Sequence, residues 1–93
     1  MGSITVNRGQ NQCGKDSLMD IIITDSNGQI TKGTVTDGGS TTVQVPDGNY
    51  KVYVEQAVQS NIVDVNINNN AANFNATITP VPGQLAIKCI DLK

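Results

Sequence analysis

Apolar and polar residues alternate in short runs along most of this 93-residue chain, and turn-forming clusters separate the runs. Period-two alternation bounded by Gly, Pro, Asn and Asp marks half-buried strands, and its even spacing marks a sandwich or barrel. The pattern predicts strands over Ser3–Asn7, Leu18–Thr24, Gln29–Thr36, Thr41–Val45, Tyr50–Gln56, Asn61–Asn68, Asn73–Thr79 and Gln84–Leu92. The breaks at 9–16, 25–28, 37–39, 46–49, 69–72 and 80–83 gather residues that tolerate turn conformations. The expectation is one all-β domain, an antiparallel β-sandwich of seven to eight strands with prealbumin-like or immunoglobulin-like Greek-key topology.

Two hairpins follow if sequential strands pair. A loop over 46–49 sets Val45 opposite Tyr50, Val43 opposite Val52 and Thr41 opposite Val54, with Gln44 and Lys51 on the other face. A loop over 69–72 sets Ile67 opposite Phe74, Val65 opposite Ala76 and Val63 opposite Ile78. Its polar face then carries Asp64, Asn66, Asn68, Asn73, Asn75 and Thr77 together, because a one-residue slip would bury the asparagines.

Composition agrees with the pattern. Ten Val and ten Ile stand against three Leu, and β-branched residues favour the pleated sheet over the helix. Histidine is absent, which removes the commonest general base and metal ligand. The net charge of −2 is spread without a basic run, so no nucleic-acid partner is expected. The longest apolar run, Ile21–Ile23, is far short of the ~18 residues that span a bilayer, so no membrane insertion is expected. The start of the chain carries no signal-peptide pattern.

Cys13 and Cys89 lie near opposite ends and are either two buried thiols or one disulfide. An even count in a small domain with few aromatics favours the bridge. Closing so long a loop would stabilise by about 4.5 kcal/mol in the chain-entropy model. The bridge implies an oxidising compartment or an extracellular particle.

From Asp20 to Glu55 the chain shows a strand, the turn Asp25, Asn27, Gly28, a strand ending at Asp37 and Gly38, then Val43, Val45, Pro46, Gly48 and Tyr50. This stretch resembles the carboxypeptidase regulatory-like and Cna B-type domains, a prealbumin-like (transthyretin-like) sandwich group. In the corner, Gly48 supplies the turn, and Tyr50 can bury its ring while its hydroxyl reaches backbone, as in a tyrosine corner. The resemblance also raises the Lys–Asn isopeptide bond of some Cna B-type domains. Here Arg8 lies near the lysine's place just past the first strand, Val54 takes the acid's place with Glu55 one position late, and 84–92 has no asparagine. These departures speak against the bond.

No residue set converges on catalysis. Ser17, Ser40 and Ser60 have no base in sequence reach, and Asp25, Asp37 and Asp47 sit in turns where Asp caps its own backbone. Gly28 comes two places early for a calcium loop of the EF-hand kind, leaving a surface cation site from Asp16, Asp20 or Asp64 as the open alternative. No cofactor is expected. The expected role is a non-catalytic structural or adhesive module of a cell-surface, secreted or virion protein. Its partner would be a protein or a second copy joined through edge strands. The alternative is a carbohydrate-binding module whose Asn/Thr face is completed by Tyr53, the one outward aromatic. Asn75-Ala76-Thr77 also matches an N-glycosylation sequon.

Overall fold

Ile4 and Val6 alternate with Ser3, Thr5 and Asn7 along the first strand, β1 (Gly2–Arg8), and the aliphatic side chains are fully buried. The chain continues through β2 (Met19–Asp25), β3 (Ile30–Val35), β4 (Ser40–Val45), β5 (Gly48–Gln56), β6 (Val58–Gln59), β7 (Val63–Ile67), β8 (Ala71–Pro80) and β9 (Lys88–Leu92), and the same alternation recurs in β4, β5, β7 and β8. The computed structural model describes residues 1–9, 18–56, 58–80 and 88–93, with backbone alone at 80, 88 and 89. Among the described residues every regular element is a strand. The eight expected strands are all present within a few residues of their expected ends, and the two-residue β6 is additional.

The strands form two sheets, a β-sandwich. The first sheet runs β4-β1-β8-β9; the second runs β3-β2-β5, with β6 and β7 both paired to β5. All pairs are antiparallel except β1 with β8. Val, Ile, Met19, Ala76, Leu92 and Tyr50 fill the space between the sheets, with Phe74 packed at the margin. An immunoglobulin sandwich of the constant type keeps its first two strands in one sheet. Here β1 and β2 lie in different sheets, so the arrangement is not the constant-type one.

Both expected hairpins are absent. β4 pairs with β1 (Val43 opposite Ile4, Val45 opposite Gly2), whereas β5 pairs with β2 (Val52 opposite Ile23, Val54 opposite Ile21). Likewise β7 pairs with β5 (Val63 opposite Val52), and β8 lies between β1 and β9 (Phe74 opposite Val6, Ile78 opposite Ile90). The links at 46–47 and 68–70 carry the chain from one sheet to the other. An apolar inner face looks the same whether the next strand sits beside it or across the core, so alternation alone cannot choose the partner.

Physical causes for the first crossing are visible. Pro46 has no N–H to give to a ladder, and the Tyr50 hydroxyl donates to the Pro46 carbonyl at 2.6 Å with its ring buried. Gly48 between them has φ 155°, a conformation side chains rarely permit. The expected tyrosine corner is therefore real, and it turns the chain between sheets instead of closing a hairpin.

At the far end of the core, Arg8 is the last residue of β1, not a residue beyond it. It is only 3 % exposed and donates through Nη1 to the Val35 carbonyl at 3.3 Å. Val54 is fully buried, and Glu55 is half-buried on the outer side of β5.

Candidate functional site

The residues expected to form one polar platform are divided between opposite faces of the sandwich. Asn73, Asn75 and Thr77 project from β8 on the outer face of the first sheet. Asp64 and Asn66 project from β7 on the outer face of the second sheet, as does Tyr53 from β5. Asn68 lies on neither. Its N–H bonds the Asn70 Oδ1 at 2.6 Å in the crossing between sheets, where Asn69 takes φ 56°. The split follows directly from β7 and β8 lying in different sheets.

On the first sheet, β8's polar residues meet those of β1 and β4. Asn73 stands opposite Thr5 and Asn75 opposite Asn7. On the other side of β1, Thr5 stands opposite Thr42 and Asn7 opposite Ser40. Side chains join across these rows: Thr5 and Thr42 hydroxyls meet at 2.9 Å, Ser40 Oγ donates to Asn7 Oδ1 at 2.5 Å, and Asn7 Nδ2 donates to the Phe74 carbonyl at 3.2 Å. Among the described residues, charge enters this face only at its β9 margin, through Asp91 and Lys93. The result is a hydroxyl and amide surface whose own bonds hold its side chains in register.

The outer face of the second sheet is different in kind. One row runs Lys32, Ile22, Tyr53 across β3, β2 and β5. The row on one side is Ile30, Thr24, Lys51, Asp64; that on the other is Thr34, Asp20, Glu55, Gln59. Ile22 is 5 % exposed although it stands outside the inter-sheet core, whereas Ile30 is 55 % exposed. Lys51 Nζ meets Asp64 Oδ1 at 2.7 Å, and Asn66 Nδ2 donates to Asn49 Oδ1 at 2.6 Å. Three consecutive isoleucines in an otherwise alternating strand were the signal for this patch, because one of them has to face outward.

At the end of this face a groove of about 430 Å³ is lined by Thr24, Asp25, Asn49, Tyr50, Lys51 and Asp64, among others. Asp25 is committed to its turn, its Oδ1 accepting from the N–H groups of Asn27 and Gln29, both at 2.9 Å. Asp47, in the neighbouring crossing, accepts from the N-terminal ammonium at 2.8 Å and from the Asn69 N–H at 2.8 Å. The ammonium, and after it the Asn69 amide, hold its carboxyl below the usual carboxylate range.

The open edges are partly closed. Asn61 uses both ends of its side-chain amide on the backbone of β9: Nδ2 donates to the Leu92 carbonyl and Oδ1 accepts from the Leu92 N–H, each at 2.9 Å. Thr41 Oγ1 donates to the Thr34 carbonyl at 2.5 Å, joining β4 to β3 across the sheets.

No family model and no curated protein matches this chain.

Other sequence expectations find these positions. Among the described residues, no three His, Cys, Asp or Glu side chains are grouped to hold a metal ion. Asp20 and Asp64 stand in different rows of the second sheet's face, and Asp16 lies outside the described residues. Cys13, Ser17 and the Cys89 side chain also lie outside them, so the expected bridge does too; the Cys89 backbone stands opposite Thr79. Ser60 is buried, its Oγ accepting from the Val54 N–H at 2.9 Å, which is a structural use of the hydroxyl. Among the described residues no helix is long and apolar enough to cross a membrane.

Proposed function

We propose that the chain is a non-catalytic structural or adhesive module of a cell-surface, secreted or particle protein, and that it acts through its sheet faces. The observation that carries this reading is the outer face of the first sheet. Threonine, serine and asparagine from β4, β1 and β8 stand in shared rows there, those of β1 and β4 bonded to one another, and among the described residues the face is free of charge except at the β9 margin. Such a face suits broad, shallow contact and not the enclosure of a substrate. The resemblance to carboxypeptidase regulatory-like and Cna B-type domains supports the same role, as does the Tyr50 corner.

The test is retention of chain-coated beads on immobilised polysaccharide, glycoprotein and cell surfaces. The double variant Thr5→Lys, Asn75→Lys changes the face without touching the core and abolishes retention. Equal retention of the variant overturns the proposal.

A carbohydrate-binding role is the second reading, and the groove beside Asp64 favours it. Its volume lies in the range of small-ligand sites, and Asn49, Lys51 and Asp64 offer the amide, ammonium and carboxylate groups that pair with sugar hydroxyls. A glycan array on which binding appears and is lost with Asp64→Ala or Asn66→Ala supports it; a blank array removes it.

A further inference from the structure

We propose that the outer face of the second sheet is a self-association surface. Two copies stack face to face about a twofold axis that lies in the face and crosses the strands along the Lys32–Ile22–Tyr53 row. The inference rests on the structural reading above but concerns the opposite face, so either can fail while the other stands.

Three observations lead to it. First, the face carries apolar side chains that the sandwich itself does not need. Ile22 and Tyr53 stand side by side outside the inter-sheet core, with Ile30, more than half exposed, in the next row. An aromatic centre among aliphatics inside a charged rim is the usual composition of a contact patch.

Second, the rim is self-complementary under the proposed axis. The axis lays the Thr34, Asp20, Glu55, Gln59 row of one copy over the Ile30, Thr24, Lys51, Asp64 row of the other. Glu55 then meets Lys51 of the second copy, and the symmetry makes this contact twice. Asp64 meets the Gln59 amide twice, while Ile22, Tyr53 and Lys32 meet their own counterparts, so one like-charge contact falls on the axis at its β3 end. The alternative axis along the strands would set Asp20 over Glu55 twice, two carboxylate pairs against the single Lys32 contact, and is disfavoured.

Third, strand addition is hindered at one point on each of two edges. Asn61 occupies the Leu92 backbone on β9, and Thr41 occupies the Thr34 carbonyl on β3. Those two positions are closed to an added strand, whereas the face is open across its width.

The geometry also sets the strength. Four strands about 4.8 Å apart and six residues long, at about 3.4 Å per residue, make a face of roughly 400 Å² per copy. That is about half the area per partner of a standard interface, so the pair is weak and forms at high local concentration, as on a crowded surface or particle.

Sedimentation of the chain from about 10 μM to about 1 mM tests this, spanning the range of weak complexes. The wild type shifts toward dimer at the upper end. Glu55→Lys alone sets two ammonium groups against each other at both contacts, and Lys51→Glu alone sets two carboxylates there, so each weakens association at least about tenfold. An equimolar mixture of the two variants restores opposite charges in the mixed pair's contacts and recovers dimer. Circular dichroism of each variant verifies the fold. A wild type that is monomeric throughout, single variants that associate normally, or a mixture no better than its components overturns the proposal. So does association that survives both reversals and is lost with Thr5→Lys, since that assigns it to the first sheet.

Discussion

Replacing Asn61 with alanine removes one side chain and two hydrogen bonds that tie the second sheet's margin to the backbone of β9. The bonds are 2.9 Å each and part-buried. A typical intramolecular hydrogen bond contributes about 0.5–1.5 kcal/mol net. The Leu92 side chain stays in the core while its backbone groups, at a sheet edge, regain some water, so the lower half of the range applies and the loss is about 1–2 kcal/mol. For a domain of this size that lowers the melting temperature by roughly 5–15 °C. Asn66→Ala is the internal control: it removes a shorter bond, 2.6 Å to Asn49, between exposed side chains, and costs within about 0.5 kcal/mol. Urea unfolding compares the two, and amide exchange at Leu92 locates the effect. Equal costs for the two variants, or unchanged protection at Leu92, refute the reasoning.

Three further outcomes follow from the same geometry. In Gly2→Ala the new Cβ would press on the Asn70 carbonyl oxygen and lie 2.7 Å from Ile67 Cγ2, so backbone must move and thermal unfolding shows a loss of about 1–3 kcal/mol; an unchanged melt refutes the close approach. Tyr50→Phe removes the 2.6 Å bond to Pro46 with the ring in place and costs about 1 kcal/mol by urea unfolding; a neutral result removes the hydroxyl from the corner. For Asp47 the folded carboxyl is held below its unfolded range, so its contribution is present at neutral pH and is lost as pH falls through the folded value. Asp47→Asn therefore flattens the acid limb of the stability profile below the usual carboxylate range, less so in high salt, and superimposable limbs sink the assignment.

Strand positions and inward-facing residues were legible because burial imposes a period of two on every half-buried strand, whichever strand it pairs with. The Tyr50 corner was legible from the spacing of Pro46, Gly48 and Tyr50, since the geometry of that turn is local. Pairing was not legible. Val43 and Val52 both point into the core, but from opposite sheets, and the alternation is identical in the two arrangements. The same ambiguity assembled Asn66 and Asn75 into one face when they stand on opposite sides of the molecule. Arg8 was missed as an interior residue because a charged side chain in an alternating strand reads as its end.

The two outer faces differ in a way that stability alone does not explain. A small domain with few aromatics gains from packing Ile22 against Tyr53, since such cross-strand pairs contribute roughly 0.2–1 kcal/mol. That gain accounts for Ile22, which is almost wholly covered, but not for Ile30, which leaves more than half of its surface in water in the next row. The first sheet shows that this fold does not require apolar residues outside: Thr5, Asn7, Asn73 and Asn75 occupy comparable central positions and the strands pair equally well. Among the described strand residues, exposed isoleucine is therefore a property of that one face, not a consequence of building a sandwich. With the edges at Leu92 and Thr34 already taken, the face's natural complement is another surface of the same width and opposite charge order, which a second copy turned about the Ile22–Tyr53 row supplies.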